Sequence, residues 1–185
     1  GSQSLRCNTT GNSNTALGTC TLRLNTIGND NTAIGHFALV ANTTGNNNTA
    51  IGSQSLKANI TGRGNIGVGL CTLPSNLTGN YNIAIGQNSL KCHTVGNDNI
   101  SIGIQAMQSN TTGIANTAVG RLALVSNTVG RWNVAIGHNA VSSNTTGERN
   151  IGIGFEALGS NTTATGNTAL GFAALNSNTT GNGNT

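Results

Sequence analysis

Charge is scarce in this sequence: 6% of residues are Asp, Glu, Lys or Arg, where an ordinary soluble domain has about 25%. Eight basic and four acidic residues give a net charge of +4, spread too thinly to form a basic track. Aromatics amount to 3%, so the stacking platforms that accompany basic residues in a nucleic-acid groove are missing too. Nucleic acid is not an expected partner. No apolar run approaches the roughly 18 residues of a membrane span, and no segment pairs a basic start with an apolar core as a signal peptide does. Membrane insertion is not expected.

The groups that carry chemistry are equally sparse. Glu148 and Glu156 are the only glutamates and Asp30 and Asp98 the only aspartates, and no nucleophile, base and carboxylate fall at a spacing that would assemble a catalytic site. Calcium-binding solenoids place aspartate regularly in their turns, which this chain does not. His36 and His138 lie six repeats apart, roughly 29 Å at the usual strand spacing, and His93 stands alone. The expectation is no enzyme, no metal and no cofactor.

What is present is a period. Every seventeenth residue counted from Gly1 is again glycine, through Gly18, Gly35 and onward to Gly171, without an insertion, and the eleventh unit stops at Thr185. A fixed period of about 20 residues marks a solenoid, whose units bury their apolar faces only against neighbours. The reading is one all-β domain over residues 1–185, a parallel β-solenoid of about eleven rungs. Because the chain begins and ends inside a repeat, it reads as a segment of a longer fibre.

Counting from each glycine, the fifth position is Leu5, Leu22, Leu39 and so on, varied only by Met107 and Val141. It is expected to be a core column. The seventeenth, from Leu17 and Ile34 to Leu170, is expected to be a second. Position fifteen is Thr, Ile or Val and would point the same way along a strand. Position sixteen is only Ala, Gly or Ser, and would then form a small, flat outer face. Two strands per rung are expected, at positions fourteen to seventeen and three to seven. Helix is excluded by period, glycine content and β-branching.

Asparagine brackets the longer turn. Position fourteen is Asn throughout, and Asn14, Asn31, Asn48, Asn65, Asn82, Asn99, Asn116, Asn133, Asn150 and Asn167 are the expected members of a stacked amide ladder. Position eight is Asn except at His93. Its Asn8, Asn42, Asn59, Asn76, Asn110, Asn144, Asn161 and Asn178 each begin an N-x-T triplet. Turn structure is the favoured reading of these residues and glycosylation the alternative. Glycine at position eleven, replaced only by Ala164, is expected to supply a positive φ.

Of the four cysteines, Cys7 and Cys92 sit at position seven and read as small interior fillers. Cys20 and Cys71 sit at the variable position three and are candidates for linking to another chain. Cys7 and Cys20 would be on the order of 13 Å apart, beyond the roughly 7 Å that a disulfide spans.

The unit G-x-x-A-L-x-S-N-T-T-G-x-x-N-T-A-I, seen nearly intact from Gly35 to Ile51 and from Gly171 to Asn184, resembles the repeats of bacterial and phage tail-fibre shafts. More distantly it is similar to the head repeats of trimeric autotransporter adhesins. That resemblance implies left-handed winding in preference to right-handed, and assembly as a trimer. The expected function is a structural fibre, extracellular or on a cell or virion surface, used for adhesion or display. Its expected partners are further copies of itself, as a lateral trimer or an end-to-end filament, and cell-surface glycans. The alternative is a soluble module that binds glycans or ice.

Overall fold

A computed structural model describes all residues 1–185. Ten three-residue strands follow in order: β1 (Thr15–Leu17), β2 (Thr32–Ile34), β3 (Thr49–Ile51), β4 (Ile66–Val68), β5 (Ile83–Ile85), β6 (Ile100–Ile102), β7 (Thr117–Val119), β8 (Val134–Ile136), β9 (Ile151–Ile153) and β10 (Thr168–Leu170). They stack in sequence order as one parallel sheet, each residue beside its equivalent in the next repeat, as in Thr15 with Thr32 and Leu17 with Ile34. The protein is a β-solenoid, about 43 Å from first strand to last at the usual spacing of about 4.8 Å. Strands number ten rather than eleven because the chain ends at Thr185, the first strand position of the last unit.

Each rung holds one strand, not two. Positions three to seven form a turn in which positions three and five are left-handed, with φ at position five between 45° (Met107) and 53° (Leu124, Leu158). Rungs still bond to each other there, as in Leu22 N–H to Ala38 O at 3.1 Å and Leu24 N–H to Val40 O at 3.1 Å. Of 119 backbone hydrogen bonds, 101 are not between paired strand residues; some close turns within a rung, as Asn25 N–H to Leu22 O does, and the others join rung to rung, so the turns share with the sheet in holding the stack together. A left-handed leucine costs about 1–2 kcal/mol. Full burial of its side chain contributes about 1.5–3 kcal/mol, enough to hold it there.

The inward face of the strand is the reverse of the expected one. Position sixteen points into the core: Ala33, Ala50, Ala84, Ser101, Ala118 and Ala135 are fully buried. Positions fifteen and seventeen point outward, with Ile51, Ile85, Ile102 and Ile136 each nearly two-fifths exposed. The reason is the width of the rung. The buried leucines of position five fill the lumen and leave room opposite only for a side chain no larger than that of Ala or Ser. A Cβ added to Gly67 would lie 2.9 Å from Thr72 Oγ1 and 3.6 Å from Leu56 Cγ. Position four is buried as well, in Ala38, Ser55, Thr72 and Ala106, so neither it nor position sixteen is a surface for another chain.

The glycine opening each rung has φ between 114° (Gly86) and 140° (Gly103), a region closed to L side chains. A Cβ on Gly35 would also lie 2.7 Å from the backbone carbon of Gly52. Glycine at position eleven has a different cause from the expected one, because its φ is not positive. It is small because a Cβ at Gly28 would reach within 2.9 Å of the Asn42 amide.

Candidate functional site

Two polar columns run through the interior. In column fourteen, Asn31 Nδ2 donates to Asn14 Oδ1 (3.1 Å) and to Gly45 O (2.9 Å), while Asn31 N–H donates to the same Asn14 Oδ1 (3.0 Å). The pattern repeats through Asn167, whose Oδ1 accepts from Asn184 N–H and Nδ2 at 2.9 Å. In column eight, Asn42 Nδ2 donates to Asn25 Oδ1 (2.8 Å) and to Gly45 O (3.0 Å). Both columns therefore converge on the position-eleven carbonyl, which accepts one bond from each. Asn31 through Asn167 of the first column are fully buried, so a buried amide that would cost about 1–3 kcal/mol unpaired has its partners.

The same geometry encloses most of the N-x-T triplets. Asn42, Asn59, Asn76, Asn110, Asn144 and Asn161 are fully buried, and their Nδ2 atoms, the atoms a glycan would occupy, donate along and across the column. Asn8 and Asn178, at the ends of the stack, donate the same turn bond at 2.9 Å to Gly11 O and Gly181 O. In the folded rod the interior Nδ2 atoms are enclosed and engaged in hydrogen bonds.

His93 interrupts column eight. The Gly96 carbonyl can only accept, so His93 Nε2–H donates to it (2.8 Å), and the unprotonated Nδ1 accepts from Asn110 Nδ2 (3.1 Å). The imidazole offers nothing to the rung before it, and Asn76 Oδ1 is left without a partner. Burial holds the His93 pKa below its ordinary value, against the opposing bond to Gly96. At Ala164 the seam stretches instead: Asn161 Nδ2 to Ala164 O is 3.3 Å and Asn178 Nδ2 to Asn161 Oδ1 is 3.4 Å.

A third ladder, in the turn at position twelve, escaped the sequence reading. Asn12 N–H donates to Asn29 Oδ1, and Asn29 N–H to Asn46 Oδ1, both at 2.7 Å, with Asn80 and Asn97 paired likewise at 2.8 Å. Its signal was the recurrence of Asn at that position, broken by Arg63 and by Ile114 to Thr165.

The cysteines are all free. Cys7 and Cys92 are exposed rather than interior, while Cys20 and Cys71 are half-buried, with Cys20 Sγ 3.9 Å from Gln3 Oε1. No three side chains among His, Cys, Asp and Glu come together.

The outer surface carries aromatics in pairs with other groups. Arg131 and Arg149 lie over Trp132 with Cζ 5.2 Å and 4.6 Å from its ring, and Arg131 Nε bonds Glu148 at 2.8 Å. Arg63 lies over Tyr81 at 5.6 Å. His138, Phe155 and Phe172 stack along the rod with centroids 5.4 Å and 5.3 Å apart. Comparison finds no family, no curated protein and no solved structure that matches the chain.

Proposed function

We propose that this chain is the rod of a structural fibre, extracellular or on a cell or virion surface, in the manner of the tail-fibre shafts its repeat resembles. The observation that carries the reading is the unbroken register: every strand pairs with its equivalent one repeat on. Such a stack has length as its main property. Its use is adhesion or display, with the variable outer positions, among them Trp132 and the Phe155–Phe172 stack, presented to cell-surface glycans. Further copies of the chain are its partners in the fibre. Electron microscopy of native material tests this. Long uniform fibres built of this chain are expected, and discrete particles would overturn the assignment.

A second reading, a soluble module that binds ice or glycans, is favoured by one observation. The threonines of position fifteen, Thr32, Thr49 and Thr117, belong to the outward face of the sheet. Inhibition of ice growth, or retention on a glycan array, by discrete particles would select it.

A further inference from the structure

The outward face of β1–β10 is two straight columns of β-branched and aliphatic side chains. Position fifteen runs Thr32, Thr49, Ile66, Ile83 and Ile100, and position seventeen runs Ile34, Ile51, Val68, Ile85 and Ile102. None of the twelve charged residues falls at either position. Ten rungs at about 4.8 Å, and two columns about 7 Å apart with a side-chain radius on each side, give a strip of roughly 48 by 14 Å, or about 670 Å² in projection. The largest apolar patch of a typical monomer is about 300–600 Å², so this strip is at the upper end or beyond.

We propose that this face is a docking surface for the same face of a second copy, so that two rods pair side by side. The reading rests on the fibre assignment and adds to it the surface through which copies meet. Two such strips bury about 1,300 Å², inside the roughly 1,200–2,000 Å² of specific interfaces. Identical in-register columns are self-complementary about a two-fold axis across the rod. That axis sets the middle of the strip, near Ile85 and Ile102, against itself with the rods antiparallel. β-Branched columns from two flat sheets interdigitate about 10 Å apart. Without a charge on the strip, neither copy has an ion to desolvate, whereas a partner of another kind would have to match the whole line of Thr and Ile from end to end. Corrugation at the spacing of the strand ladder is a feature only another such stack is certain to share.

The test is sedimentation velocity of the whole chain over a wide concentration range, under reductant so that Cys7 and Cys92 form no cross-links. The wild type is expected to pass from monomer to dimer. Ile85→Lys with Ile102→Lys, both at half-exposed positions, is expected to weaken association at least tenfold with an unchanged β circular dichroism spectrum. The milder pair Ile85→Thr with Ile102→Thr weakens it by a smaller factor and covers the case in which the lysines disturb the fold. Val95→Lys with Val129→Lys adds the same charge to another exposed column and is expected to associate as the wild type does. A wild type that stays monomeric throughout overturns the proposal, whatever it binds instead, while fibres seen by microscopy would still sustain the fibre assignment. Undiminished association of the Ile85 and Ile102 variants overturns it too.

Discussion

The two interior asparagine columns look alike in sequence and differ in what they can tolerate. In column fourteen each Oδ1 accepts two bonds from the next rung, one from the side chain and one from the backbone N–H, as Asn116 does from Asn133 at 3.2 and 3.0 Å. In the interior of column eight the Oδ1 accepts only a side-chain donor, as Asn127 does from Asn144 at 2.9 Å. Losing a side chain from the first column orphans a buried backbone donor, and losing one from the second does not. That difference accounts for where the sequence varies: column fourteen is Asn throughout, while column eight admits His93.

The largest effect is therefore expected from Asn116→Ala. It leaves the buried Asn133 N–H without a partner and removes a donor from the Gly130 carbonyl, at a combined cost of about 2–4 kcal/mol. Asn127→Ala also takes a donor from Gly130 and leaves the buried Asn110 Oδ1 without its donor; an unpaired carbonyl oxygen is tolerated more readily than an unpaired backbone N–H, so the cost should be smaller, about 1–3 kcal/mol. Denaturant unfolding followed by circular dichroism compares the two. Equal losses would show that the backbone bond is not what separates the columns.

Next in size is the repair of the flawed column. His93→Asn supplies the Nδ2 donor that Asn76 Oδ1 lacks, and satisfying a buried polar atom should stabilise the fold by about 1–3 kcal/mol. The same substitution should remove a pH dependence. His93 is held neutral in the folded rod, with its pKa lowered by burial, while the unfolded chain takes up the proton near the ordinary value of 6.5. The unfolded state then binds more protons below that pH, so this contribution is whole above about 6.5 and is lost as pH falls toward the depressed folded value. Protonation would also turn Nδ1 into a donor facing the Asn110 amide, another donor. Thermal melts between pH 5 and 7 should slope for the wild type and flatten for His93→Asn. A slope that survives the substitution would assign the dependence to other groups.

Much of this architecture was legible from the repeat. The period gave the solenoid, the fifth-position leucines gave the core column, and the absence of gaps gave the parallel register. The orientation of the strand was not legible, because Thr-Ala-Ile read by hydrophobicity puts the isoleucine inside. What reverses it is the volume left opposite Leu56 or Leu90, a property of the closed rung and not of the strand. The outward apolar face, on which the pairing of rods depends, was hidden by the same misreading. The left-handed residues were hidden for another reason: Leu, Trp and Val seldom adopt that backbone, and only the bonds from rung to rung hold them in it.

That last point gives the smallest expected effect. Position thirteen lies one residue before the polar column and is left-handed in every rung, at 54° in Ala115 and 57° in Trp132, yet three rungs already place glycine there, with φ of 66° at Gly64, 73° at Gly166 and 67° at Gly183. A left-handed L residue costs about 1–2 kcal/mol, which glycine relieves, but glycine also loses about 0.5–1 kcal/mol more backbone entropy on folding. Ala115→Gly should therefore stabilise the rod by about 0.5 kcal/mol, far less than a ladder bond. The sign carries the information. Urea midpoints should rise slightly for Ala115→Gly and fall for Gly64→Ala, where φ is just as left-handed and the added Cβ would lie 2.6 Å from the Tyr81 ring. If both substitutions lowered the midpoint, entropy would outweigh strain at this position, and the turns would hold their left-handed residues at little cost.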